Sequence, residues 1–196
     1  MDEGLRVLAD EGAPGVRIDR IAARLGLSKG SFHHHFAGAD GYKRDLLAHY
    51  ESLSVDALDS AIAGVADDAS ARDVLGALTA MIRGDGADLY RPELDVAVRA
   101  WSTTDPDVRA VQQRVDTTRI DALARVWGRA VPDPAEARRS ALLPYLLAVG
   151  AAVVVPPVEV DDLRRLYELL LPLVPADRSE RDEAAAIPRS RRERRA

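Results

Sequence analysis

The chain has 196 residues, 47% hydrophobic and 30% charged, with a formal net charge of −5 and a pI near 5.4. That is enough chain for a hydrophobic core in one or two domains, and the acidic balance excludes a generally basic nucleic-acid coat while leaving room for one basic face. Cysteine is absent, so disulfides and thiolate metal centres are excluded.

Apolar residues recur with the helical period almost throughout, and the fold class read from them is all-α. The acidic start, "MDEGLRVLADEG", has neither the basic head nor the apolar run of a signal peptide, so the chain is read as cytoplasmic. Leu5, Leu8 and Ala9 give a first short helix ending at Gly12, and "GAPG" breaks it. Ile18, Ile21, Ala22 and Leu25 repeat at i, i+3, i+4, i+7 and predict a second short helix, stopped by Gly26. Ser28 is placed to cap a third helix running to Phe36. "AGADG", residues 37–41, is read as another break before a longer helix with Leu46, Leu47, Tyr50 and Leu53 on one face. Further helices follow, with Ser70 as an N-cap and Pro92 in a first turn. A long one carries Val108, Val111, Val115, Ile120 and Leu123. Ala141–Val158 is 18 residues without a charge, but Pro144, Gly150 and Pro156-Pro157 shorten its usable helix below the ~20 residues that a membrane span needs. It is read as a buried or interface helix, with no membrane role. The Arg-rich end, 176–196, is read as a disordered tail.

Helix, tight glycine turn, helix over Ile18–Phe36 is the spacing of a helix-turn-helix, whose second helix enters the DNA major groove. At about 100° per residue from Ser28, Phe32 falls near ~40° and Phe36 near ~80°, so the two rings share one face and can pack on Ile21, Ala22 and Leu25. His33, Gly30, His34 and Ser31 fall on the opposite face, with Lys29 and His35 at its borders. That outward face is small or hydrogen-bonding and carries no acid, as close approach to a polyanion requires. The run His33-His34-His35 does not read as a metal site. Two ligands on one helix must share a face, whereas adjacent histidines point about 100° apart and His33 and His35 about 200° apart.

"IDRIAARLGLSKGSFHHHF" followed by "GYKRDLL" resembles the N-terminal DNA-binding region of the TetR family of transcriptional regulators. The shared pattern is an Ile-Ala pair, a turn ending Gly-apolar-Ser, then Gly-x-apolar-x-x-His-Phe, and it covers about Leu5–Leu47. The resemblance implies an all-helical homodimer: a helix-turn-helix head over 1–49 and a larger effector-binding and dimerisation domain over 50–175. It assigns Lys29, Gly30, Ser31 and His34, with Ser28 at the helix start, to the groove-facing surface. His33 stands where the family usually sets a phosphate-contacting tyrosine, and His35 is the family's histidine before the aromatic. Lys43 stands where a phosphate-binding lysine is common. Two departures stand out. Arg17 occupies the place of the family's Ser or Thr cap and is assigned to a backbone phosphate instead, and the first helix is read as starting at the first residue, where the family usually carries several more, often basic, residues.

The implied function is a sequence-specific regulator, a repressor released by an unidentified small-molecule effector, bound as a dimer to palindromic double-stranded DNA. The dimer surface is placed on the last two helices, centred on Ala141–Val155 and Leu163–Val174, whose apolar faces are broader than one core requires. Met81, Tyr90, Trp101, Trp127 and Tyr145 are the effector-site candidates, because large side chains are scarce, and an apolar or aromatic ligand is preferred. No catalytic constellation, phosphate loop or zinc motif is present, so neither an enzyme nor a cofactor is expected. The competing reading is a helical protein-interaction module that has lost DNA binding, since the first fifty residues carry seven basic and seven acidic side chains.

Overall fold

A computed structural model of the chain describes residues 1–82 and 91–176, including all their side chains except those of Lys29, His33 and His34. The described residues form nine α-helices and no strand. The head is α1 (Asp2–Glu11), α2 (Ile18–Arg24) and α3 (Lys29–Phe36), with a 3-10 turn at Ala13–Gly15 between the first two. The body is α4 (Gly38–Ala63), α5 (Ala71–Ala80), α6 (Pro92–Ser102), α7 (Pro106–Trp127), α8 (Pro134–Val153) and α9 (Val160–Leu170).

The boundaries follow local chemistry. Ser70 closes a capping box with Asp73 at the start of α5. Asp105 and Asp133 accept backbone N–H bonds at the starts of α7 and α8, each with proline in the first turn. Arg17 caps α2 by backbone position only; its guanidinium bonds Asp19 instead of the orphan N–H groups. α4 starts earlier than its sequence suggests. The break after α3 is confined to Ala37 and Gly38, both at positive φ (47° and 88°), and residues 39–41 are already helical.

Two apolar clusters organise the molecule. The first joins Leu8, Ile21, Phe32, Leu46 and Tyr50 of the head side to Leu94, Val98, Val108 and Val115 of α6 and α7. A three-helix head is too small to bury its own apolar faces, and α6 and α7 complete its core. The expected division at 49/50 accordingly falls inside α4, which runs unbroken through both parts. Leu25 departs from its expected role: at the C-cap of α2 it is 48% exposed and stands outside this core. The second cluster packs α5, α7 and α8 through Val74, Leu78, Leu123, Val126, Trp127 and Tyr145. Pro144 lies inside α8, and its carbonyl accepts a 2.8 Å bond from Tyr167 of α9, tying the last two helices. Among the described residues, no helix is long and apolar enough to cross a membrane.

Candidate DNA-binding face and ligand cavity

α3 is short, and three features fix it in place. Ser28 Oγ accepts the Ser31 N–H at 3.1 Å, which satisfies one orphan donor of the first turn. Phe32 is fully buried, with its ring centroid 4.6 Å from Phe36 and 4.9 Å from Tyr42. Tyr42 meets Phe36 edge-on at 5.1 Å, so three rings from α3 and α4 close one aromatic cluster. Burial, with the charge of Glu3 nearby, pushes the Tyr42 hydroxyl up to about 12. The C-terminal end of α3 meets α4 at Gly41, where a Cβ would overlap the Phe36 carbonyl oxygen.

With Phe32 inward, Gly30 and His35 are exposed and Ser31 is half-exposed, and a Gly30 Cβ would lie 4.0 Å from Ser28 Oγ. Lys29, His33 and His34 occupy α3, with side chains outside those described. The head's other charges form an exposed lattice: Arg20 and Arg24 both reach Glu11, Arg24 and Arg6 both reach Glu3, and His49 meets Asp2. Arg17 stays mostly exposed beside Asp19.

Lys43, assigned to a phosphate by the resemblance, has carboxylate partners: its ammonium donates to Asp105 at 2.7 Å and Asp107 at 3.0 Å. The hydrogen bond that Lys43 donates to Asp105 raises the Lys43 pKa, and the same bond lowers that of Asp105. The cause is the sequence of the α7 start, where a capping aspartate and a first-turn aspartate lie against the first turns of α4. Arg44, one residue on, is exposed and has no ion pair among the described residues, and sequence reasoning passed it over.

The body holds a partly open cavity of about 140 Å3 between α4, α5, α6, α7, α8 and α9. Trp127 and Tyr145, two of the effector-site candidates, line it. Met81 lines a second hollow beside Arg91 and Leu94. Trp101, another candidate, packs against the head cluster near the end of α6 and lines neither space, because the apolar face it shares with Leu94 and Val98 points at α1 and α7. Tyr90 lies outside the described residues.

The polar groups at the cavity were not foreseen. Arg99 binds both oxygens of Asp116, at 3.0 and 2.8 Å, and also donates to the Tyr145 hydroxyl at 3.0 Å. Tyr145 in turn donates to Asp116 at 2.6 Å. Arg119 donates to Asp95 at 2.9 Å and to the Ser54 carbonyl at 3.0 Å. Tyr50 donates toward Asp95 and Gln112, both at 3.0 Å. Burial would raise the Asp116 pKa, but hydrogen bonds from Arg99 and Tyr145 outweigh it and hold the carboxyl below its ordinary range. Burial, reinforced by the bond to Asp116, pushes Tyr145 up to about 12. The sequence did hold a signal: Val108, Gln112, Val115, Arg119, Ala122 and Val126 follow at alternating steps of four and three, so Gln112 and Arg119 interrupt an apolar stripe and must face inward.

A capped, ring-anchored second helix after a tight glycine turn, carried on a helical body with a cavity, makes a helix-turn-helix head on an all-helical body. Residues 1–49 match the family model described as bacterial regulatory proteins, tetR family. The head, a quarter of the chain, is thus similar to the N-terminal DNA-binding region of the TetR family. Solved structures share the fold over nearly the whole chain. A transcriptional regulator from Rhodococcus sp. Rha1 is 21% identical with a TM-score of 0.67, over 88% of this chain and 92% of that one. A proposed transcriptional regulator from Saccharomonospora viridis, in complex with choline, is 22% identical with a TM-score of 0.71, over 90% and 95%. Reduced NemR of E. coli is 16% identical with a TM-score of 0.67, over 85% and 91%. At these identities the likeness is one of fold. No curated protein sequence matches the chain.

Proposed function

We propose that the chain is a cytoplasmic, homodimeric repressor that binds a palindromic operator and is released by a small molecule held in the body cavity. The observation that carries the reading is the mounting of α3. Phe32 and Phe36 occupy its inner side, Ser28 fixes its start, and exposed or half-exposed Gly30, Ser31 and His35 leave a surface a duplex can approach closely. In this reading Lys29, Gly30, Ser31 and His34 meet the groove, and His33 and Arg17 meet backbone phosphates. Lys43 has two carboxylate partners and takes a junction role in place of a phosphate contact.

Dimerisation is supported by the apolar side chains that α8, α9 and the turns after them leave exposed, including Leu143, Leu146, Val155, Leu169 and Leu173. Two subunits joined there would present two recognition helices to successive major grooves. The cavity supports an effector, and choline in the Saccharomonospora protein is a precedent for a small ligand in a relative of this fold. Binding of ligand preferentially to one spacing of the heads would lower operator affinity by linkage.

The test is a gel shift on the DNA upstream of the gene itself, across a salt series. A shift whose affinity falls steeply with salt, and which Lys29→Ala or His34→Ala weakens while the dimer stays intact, supports the reading. No shift at low salt would favour the competing one, a protein-interaction module that has lost DNA binding.

A further inference from the structure

Tyr50 lies in the middle of α4, fully buried, and has one O–H to give. Two acceptors compete for it: Asp95 Oδ1 of α6 and Gln112 Oε1 of α7 each lie 3.0 Å from the hydroxyl. Neither has a clear advantage. Asp95 is a carboxylate, but its other oxygen is held by Arg119 at 2.9 Å. Gln112 is neutral, but its Nε2 donates to Asp116 Oδ1 at 2.5 Å, which polarises the amide and makes its oxygen a better acceptor. Asp116 also fixes the orientation of that amide, because an ionised carboxylate only accepts and must face Nε2. Burial pushes the Tyr50 pKa up, so the hydroxyl keeps its single proton. Ser54, one turn along α4, bonds the same hydroxyl as a donor to its oxygen, since its effect is to ease deprotonation.

Both acceptors lead to the cavity. Asp95 and Arg119 line it, and so do Arg99 and Tyr145, the other donors to Asp116. Both acceptors also lead to the head, by different routes. α6 lays Leu94 and Val98 into the head cluster, and the start of α7 holds Lys43 of α4 through Asp105. A contact in the cavity that draws Tyr145 or Arg99 off Asp116 leaves this carboxylate bound more tightly to Gln112. The Gln112 oxygen then accepts better, and the Tyr50 proton moves toward it. A contact that draws Arg119 off Asp95 does the opposite, because a carboxylate relieved of its cation is the stronger acceptor.

We propose that the Tyr50 hydroxyl is a two-position switch: its proton goes either to Asp95 on α6 or to Gln112 on α7, and contacts made in the cavity set the choice, so α4 is tied to one helix or the other. In each position one acceptor lacks the Tyr50 proton inside the body, which keeps the two arrangements discrete. The consequence for operator binding rests on the proposed effector role; the switch itself needs neither DNA nor an identified ligand.

The test uses the full-length chain, with Tyr145→Phe taking one donor off Asp116 in place of a ligand. Urea unfolding gives a double-mutant cycle between Tyr145→Phe and Tyr50→Phe, two hydroxyls linked only through Asp116 and Gln112. The unfolding constant of the double variant should depart from the product of the single effects by at least about fivefold, and this coupling should vanish when Gln112→Met is present. Effects that multiply within about twofold overturn the proposal, as does coupling that survives without Gln112. Proton NMR reads the switch itself, through the Tyr50 hydroxyl resonance identified by its loss in Tyr50→Phe. Tyr145→Phe should move it upfield, toward a bond to an amide. Gln112→Met should move it downfield, toward a bond to a carboxylate, and adding Tyr145→Phe should then leave it in place. A resonance that Tyr145→Phe does not move overturns the switch. Operator affinity is read separately by gel shift on the upstream DNA. Tyr145→Phe should change it about fivefold, and less than about twofold when Gln112→Met is present. A parent chain that shifts no DNA sinks the regulator reading and leaves the switch standing on the first two measurements.

Discussion

The contact between Gly41 and the end of α3 sets two ordinary effects against each other. Gly41 lies in the first turn of α4, where helix propensity alone favours alanine over glycine by about 1 kcal/mol. Packing opposes it. A Cβ at position 41 would overlap the Phe36 carbonyl oxygen and lie 2.9 Å from the Phe36 carbonyl carbon and 3.3 Å from the Ala37 Cβ. The first two atoms are backbone and cannot swing aside, so α3 or α4 must shift. Overpacking of this kind costs about 1–3 kcal/mol, and the upper part of that range applies where backbone has to move. The expected net effect of Gly41→Ala is a loss of about 1–2 kcal/mol. The strain falls on the three-ring cluster that seats α3, so operator affinity should fall about tenfold, the equivalent of ~1.4 kcal/mol. Urea unfolding followed by circular dichroism measures the first quantity. Fluorescence anisotropy with a labelled operator fragment measures the second. An alanine variant as stable as the parent and with unchanged operator affinity would refute the reasoning, because propensity would then have won and the α3–α4 contact would have slack.

Other expectations follow from the same geometry. Arg44→Gln should reduce the salt slope of operator binding, whereas Lys43→Gln should chiefly destabilise the α4–α7 junction; a Lys43 variant that alters the salt slope alone would contradict the pairing with Asp105 and Asp107. Because the folded pKa of Asp116 is depressed, its stabilising effect is present above the ordinary carboxylate pKa of 3.8 and is lost as pH falls through the lower folded value. Asp116→Asn should therefore flatten the acid limb of a stability–pH profile below about pH 4 while costing about 1–3 kcal/mol at pH 7, between the values for exposed and buried pairs; an unchanged acid limb measured by thermal melts would exclude this role. Leu146→Glu with Leu169→Glu, at positions 60% and 70% exposed, should yield a monomer by sedimentation and lower operator affinity at least tenfold; a persistent dimer would place the interface elsewhere.

The head was readable because its signals are local. Gly26 ends one helix, Ser28 caps the next, and Phe32 stands four residues from Phe36, all within one window of sequence. The start of α4 was misread because Gly38 and Gly41 look alike in sequence. The first serves a positive φ, and the second serves a close approach from another helix, which is visible only in three dimensions. The carboxylate partners of Lys43 are hidden in the sequence for a similar reason: they lie more than sixty residues away. The cavity was half legible. Trp127 and Tyr145 are candidates by size, but Asp95, Arg99, Asp116 and Arg119 are not among the candidates. Their inward register shows only when α6 and α7 are read as stripes whose apolar period the charges interrupt.

The paired guanidiniums and carboxylates of the cavity also bear on how this body would change over evolutionary time. Removing any one of Asp95, Arg99, Asp116 or Arg119 strands a partner in a partly buried site, so single substitutions there are penalised whatever the ligand. The aliphatic walls carry no such debt, and exchanges at Leu78, Leu123 or Val149 alter shape at the modest cost of repacking. Ligand preference should therefore drift through the aliphatic positions while each charged pair is inherited or lost as a unit. Descendants of this chain that answer to different molecules would then be recognised by correlated gain or loss within each pair, against a background of freely varying hydrophobic neighbours.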